Sequence, residues 1–163
     1  MFMKPLAFML SIGSICLFTG CGKDDDSGGQ PLSPQPALTA QVNGSNWVSA
    51  TTNYALSNTE VQFSGKNANG DIIELFMSQV NGPVTYSSTH QGTYILARYQ
   101  TQAGAEWKSN MPGGEANISV TVFDQNTKLG SGTFSFTAPA ANSAATGEKT
   151  VTNGTFTDIK LSF

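Results

Sequence analysis

Ile118-Ser119-Val120-Thr121-Val122-Phe123-Asp124 and, after a short polar turn, Gly130-Ser131-Gly132-Thr133-Phe134-Ser135-Phe136 decide the fold class of this chain. In both stretches apolar and hydroxyl side chains alternate, the period of a strand with one buried and one wet face. Ile118, Val120 and Val122 share one face against Ser119 and Thr121, and Phe134 and Phe136 share one against Thr133, Ser135 and Thr137. The same alternation closes the chain, with Ile159, Leu161 and Phe163 set against Asp158, Lys160 and Ser162. Upstream, Val61 and Phe63 lead into Asn69-Gly70, a dipeptide suited to the positive φ of tight hairpin turns, and then into a strand over residues 71–80. There Ile73, Leu75 and Met77 fall on one face and Ile72 and Phe76 on the other, so both faces are expected to be covered. Val42-Asn43-Gly44-Ser45-Asn46-Trp47 marks another hairpin corner, with Trp47 expected in the core. With turn signals roughly every ten residues and no helical period, residues 38–163 read as a single all-β domain. Its expected architecture is an antiparallel β-sandwich or a flattened barrel, with residues 139–147 forming a small-residue loop before the last strand.

Composition agrees with that reading and excludes other classes. The 163 residues carry 8 Lys+Arg against 11 Asp+Glu, a net charge of −3, with no basic stripe for nucleic acid. Charged residues make up 12%, about half the ordinary share, while 17 glycines and abundant Ser, Thr and Asn suit turns and strands. One histidine and two cysteines leave little material for a structural zinc site or an iron–sulfur cluster, and no cofactor is expected.

The first 37 residues read as address and tether. Lys4 precedes a largely apolar run from Leu6 to Phe18, too short for the roughly 20 residues of a spanning helix and suited to the hydrophobic region of a secretory signal. Leu17-Phe18-Thr19-Gly20-Cys21 then resembles the bacterial lipobox, with Phe18 departing from the usual aliphatic residue three before the cysteine. That resemblance implies cleavage after residue 20 and acylation of Cys21, so the chain meets a membrane through lipid. More than one acyl chain is needed for stable anchoring. Cys16 lies in the discarded segment, which leaves no cysteine for a disulfide. Residues 21–37 are rich in Gly, Ser and Pro and read as a flexible tether, whose coil spans on the order of 23 Å. Within it, Lys23-Asp24-Asp25-Asp26 directly follows the lipidation site and looks like a lipoprotein sorting signal for the outer face of the outer membrane.

A short pattern recurs at Gly92-Thr93-Tyr94, Gly132-Thr133-Phe134 and Gly154-Thr155-Phe156, at unequal spacing. The expected role is the start of a strand, with glycine at a positive-φ or bulged turn and the aromatic plugging the core edge. Together with Asn43-Gly44-Ser45-Asn46-Trp47, the stretches 118–124 and 130–136, and Val151–Ile159, these motifs make the chain similar to a family of small Bacteroidetes surface lipoproteins sharing a β domain of unknown function. The resemblance spans nearly all of residues 38–163 and implies an all-β extracytoplasmic domain without supplying catalytic residues.

Candidate sites in the domain are sparse. His90 stands alone in a polar loop, and no Gly-x-Ser-x-Gly elbow is present. Glu74, Glu106, Asp124 and Asp158 are the main carboxylates eligible for hydrolysis, but nothing pairs them in sequence. Asn67, Asn69 and Asp71, like Asp124 and Asn126, offer oxygens at alternate positions, a pattern that hairpin turns favour equally. Trp107, among loop formers, and Tyr99 are the candidate ligand contacts, as an exposed stacking platform for a glycan or protein partner. The expected function is therefore non-enzymatic binding or scaffolding at the cell surface. A glycan-binding accessory module of a polysaccharide uptake system is the alternative, and a hydrolase ranks behind both.

Overall fold

The structure, a computed structural model, describes residues 37–88 and 94–163. Eleven strands follow one another without a helix among these residues: β1 (Leu38–Val42), β2 (Ser45–Val48), β3 (Thr51–Leu56), β4 (Glu60–Lys66), β5 (Ile72–Ser78), β6 (Val84–Ser87), β7 (Leu96–Gln100), β8 (Glu106–Lys108), β9 (Glu115–Phe123), β10 (Leu129–Pro139) and β11 (Glu148–Lys160). They form two antiparallel sheets, ordered β2-β1-β11-β10-β9-β6 and β3-β4-β5-β7-β8, which we call sheets A and B. The sheets are not closed into a barrel, so the sandwich is the correct one of the two expected architectures.

Local chemistry explains the corners. Asn43 and Gly44 both hold positive φ, at 49° and 79°, as the two-residue turn between β1 and β2 requires. Gly70, at φ 86°, turns β4 into β5, with the Asn67 carbonyl accepting from the Gly70 amide and the Asn67 side chain from the Asp71 amide. The expected alternation fills the space between the sheets. Ile118, Val120, Phe134, Phe136 and Phe156 of sheet A meet Val61, Phe63, Ile73, Leu75 and Met77 of sheet B, all of them buried. Phe63 and Phe156 touch across the layers, their ring centres 5.2 Å apart. Trp47 is buried as expected and packs on Gly65 of β4, where a Cβ would fall 2.8 Å from its ring.

Two apolar residues escape the alternation. The β9–β10 register shifts beside Ser131, so one extra β9 residue turns Val122 outward, 61% exposed, while Phe123 packs against the core. At the chain end Ile159 and Leu161 are buried, but β11 stops at Lys160 and Phe163 is 67% exposed; the expected three-residue apolar face has two members.

The Gly-Thr-aromatic pattern has a different role from the expected strand start. Gly132 and Gly154 lie inside β10 and β11, beside register shifts but without positive φ. The two motifs pair head to tail: Gly132 faces Phe156, Thr133 faces Thr155, and Phe134 faces Gly154. Each glycine vacates the space that the other motif's ring fills. A Cβ on Gly132 would meet Phe156 Cζ at 2.6 Å, and one on Gly154 would meet Phe134 Cδ2 at 2.6 Å. Gly92 lies outside the described residues.

Sheet B is closed along one side and open along the other. The segment joining β10 to β11 lies against β8: Ala141 donates its amide to the Glu106 carbonyl at 2.8 Å, and Glu106 returns its amide to Asn142 Oδ1. At the far side, β3 has no strand beside its second edge among the described residues, and Tyr54 there is 62% exposed.

Candidate functional site

Trp107 and Tyr99 come together, though not as a platform. They face each other across β7 and β8 with ring centres 5.7 Å apart, and each is only 6% exposed. Lys149 of β11 covers them, its Nζ 4.9 Å from the Trp107 ring centre and 5.8 Å from that of Tyr99. The indole donates to the Thr146 carbonyl, and the Tyr99 hydroxyl donates to Asp71 Oδ2 at 3.2 Å. Burial, reinforced by the Asp71 carboxylate, pushes the Tyr99 hydroxyl up to about 12. The pair closes the end of the sandwich, because the β10–β11 segment folds over a ring that sequence alone places in a loop.

The outer face of sheet B carries a row of alternating charge. Arg98 contacts Glu74 at 2.5 Å and Glu106 at 2.9 Å, and Lys108 contacts Glu106 at 3.1 Å. Gln62 donates to Glu74, whose side chain is 8% exposed. Burial works against ionisation of Glu106, but hydrogen bonds from Arg98 and Lys108 outweigh it and hold the carboxyl below the usual range. Two of the four candidate carboxylates are thus tied to one guanidinium. Asp124 accepts the Asn126 and Thr127 amides in the β9–β10 turn, which lowers its carboxyl as well. Asp158 takes positive φ, 53°, and its amide donates to Ser131 Oγ. Asp71 serves its turn by accepting from Gln102 and Tyr99. No group of three or more His, Cys, Asp and Glu side chains is placed to hold a metal among the described residues. His90, Cys21, Lys23, Asp24, Asp25 and Asp26 lie outside them.

The outer face of sheet A is chemically distinct and was missed in the sequence. The register lines up one outward hydroxyl from each of five strands: Thr39, Thr155, Thr133, Ser119 and Thr85. At the usual strand spacing of about 4.8 Å the row is roughly 19 Å long. Its flanks are tied, Thr39 to Thr155 at 2.8 Å and Thr85 to Ser119 at 2.9 Å, both through hydroxyl oxygens. A second row runs two residues along the strands, through Gln41, Asn153, Ser135, Asn117 and Ser87. Asn153 is the bulged residue, at φ 51°, and its amide donates to Gln41 Oε1 at 3.0 Å. Between the rows lies an open trough of about 460 Å³ lined by Asn117, Ser119, Thr133, Ser135, Asn153 and Thr155, with Phe134 and Gly154 beneath. The side chains of Asn117, Thr133 and Ser135 have no hydrogen-bond partner among the described residues. None of the residues lining the trough is ionisable. The polar halves of the strand patterns carried the signal, but only the register shows that they align.

Fold and surface together define a two-sheet antiparallel β-sandwich with an uncharged, hydroxyl-rich trough on the outer face of one sheet. The family described as Domain of unknown function (DUF6252) matches residues 34–160, and the chain belongs to it. No curated protein and no solved structure matched the chain.

Proposed function

We propose that this protein is a lipid-anchored, extracytoplasmic β-sandwich, held at the outer-membrane surface through Cys21, with a binding or scaffolding role and no catalysis of its own. The observation that carries the reading is the position of Cys21: it follows a short apolar run and small residues, and only a polar Gly/Ser/Pro-rich tract separates it from the first strand at Leu38. Lys23-Asp24-Asp25-Asp26 beside the cysteine supports sorting to the surface, as in the Bacteroidetes lipoproteins that the chain resembles. The engagement of Glu74 and Glu106 by Arg98 and Lys108 supports a structural use of the most eligible carboxylates. Glycan binding is the second reading, and the uncharged trough on sheet A favours it where the buried Trp107–Tyr99 pair does not.

Labelling of the full-length protein in cells with radioactive palmitate tests the anchor. The wild type is expected to incorporate label and Cys21→Ser to remain an unlabelled precursor; an unmodified, soluble wild-type protein would refute the reading. Replacing Asp24, Asp25 and Asp26 with alanine is expected to keep the label and protect the domain from protease added to intact cells.

A further inference from the structure

We infer that the outer face of sheet A binds an uncharged, extended polysaccharide across its hydroxyl rows, with Asn117, Thr133 and Ser135 as the central contacts. The inference rests on the surface-binding reading and supplies its ligand class.

Charge selects among ligands first. The trough is lined without a single ionisable group, so a phosphate, a sulfated polymer or an acidic peptide would lose its hydration and gain no counter-charge. An apolar ligand fits no better, because the hydroxyl and amide groups of Asn117, Thr133 and Ser135 would be desolvated unpaired. A neutral sugar chain matches both demands. Its hydroxyls donate and accept, as do the Thr and Ser hydroxyls, and each asparagine amide offers a donor and an acceptor side by side.

Pre-organisation is the second observation. The ends of the first row are already committed, Thr39 to Thr155 and Ser119 to Thr85, which fixes their rotamers. In the centre, Asn117, Thr133 and Ser135 spend no side-chain hydrogen bond on any partner among the described residues. Their backbones belong to β9 and β10, each paired on both sides, so these groups are held at fixed spacing and little order is lost when they are used.

The shape is the third. The row crosses five strands, and the trough is open rather than enclosed, a surface for a chain passing through and not for a single small molecule. Phe134 beneath the trough is buried and offers no exposed ring to stack on. Each contact is therefore a hydrogen bond exchanged against water, so the single-site affinity is weak and binding gains from many copies on one surface.

The test uses the full-length chain in detergent, incubated with insoluble cellulose, chitin and mannan as neutral polymers and with polygalacturonate as a charged one. Depletion from the supernatant is expected on at least one neutral polymer and not on polygalacturonate. The double substitution Thr133→Glu with Ser135→Glu, both on the outward face, is expected to weaken retention about tenfold, the equivalent of one to two net hydrogen bonds. Asn53→Glu on the exposed edge strand of sheet B should leave it unchanged. Thermal melting of each variant separates loss of binding from loss of fold, and Asn117→Ala provides a second reduction without added charge. Failure to bind any neutral polymer, equal retention of the double variant, or preference for polygalacturonate would overturn the inference. Palmitate labelling and protease accessibility are read independently, so such a failure leaves the anchoring proposal standing on its own results.

Discussion

Replacing Gly132 with alanine is expected to be among the most damaging single-methyl changes in the domain. The new Cβ would lie 2.0 Å from the Ser119 carbonyl oxygen and 2.6 Å from Phe156 Cζ. Phe156 has nowhere to go: it is 1% exposed, and its ring is held against Phe63 of the opposite sheet. The carbonyl belongs to β9, which is paired on both sides in sheet A, so relief requires β9 and β10 to separate locally. Overpacking ordinarily costs about 1–3 kcal/mol, and a clash with a fixed backbone oxygen places this one near 3 kcal/mol. For a domain of this size that corresponds to a fall in Tm of about 12 °C, taking about 4 °C per kcal/mol. Circular dichroism melts of the variant and wild type measure it directly. Gly82→Ala is the matched control, since no atom lies within 4 Å of its added methyl, and its Tm should not fall. A Gly132→Ala protein that melts within about 2 °C of wild type, less than 1 kcal/mol on the same scale, would refute the reciprocal packing of the two Gly-Thr-Phe motifs.

At the chain end, Leu161→Ala should destabilise the domain by about 2–5 kcal/mol, because the side chain is fully buried against Gly130, whereas Phe163→Ala should change Tm by little. Equal effects in denaturant titrations would show that the strand continues past Lys160. Glu106 predicts a pH dependence. Its carboxyl is held below the usual range in the folded protein, so the stability it contributes is present above about pH 4.3 and is lost as pH falls through the lower folded value. Glu106→Gln should therefore be less stable than wild type at neutral pH, by up to about 1 kcal/mol, and the difference should vanish at strongly acid pH. Urea titrations at neutral and acid pH check this, and a gap that widens on acidification would contradict the assignment.

Local patterns made the strands legible, and pairing made the surfaces. Ile118, Val120, Phe134 and Phe136 announce their buried faces because period-2 alternation is a property of one strand. Asn43-Gly44 and Asn69-Gly70 announce their turns because positive φ is a property of one or two residues. Val122 is misread because an extra residue in β9 shifts its phase, and such a bulge leaves no mark in composition. The Gly-Thr-aromatic repeat was visible as a pattern, yet its meaning depends on Gly132 lying opposite Phe156 on the following strand. The same holds for the sites. Glu74, Arg98 and Lys108 are unremarkable polar positions until β5, β7 and β8 pair and set them in one row. Trp107 is placed in a loop by its glycine-rich neighbours, and only the fold of residues 140–147 across it makes it a core residue.

The placement of the last strand governs when the domain can exist. β11 lies between β1 and β10, and Thr39 at the front of the chain meets Thr155 near its end. Neighbouring strands β3, β4 and β5 can zip up from short turns as soon as they are made, but the β1–β2 hairpin cannot join the rest of its sheet until β11 is available. Closing so long a loop is entropically slow, and sheets dominated by such distant pairings fold in milliseconds to seconds. For a chain that we propose is threaded across a membrane from its amino end, this delay is useful: the partly exported polypeptide cannot lock shut while its final strand is still on the other side.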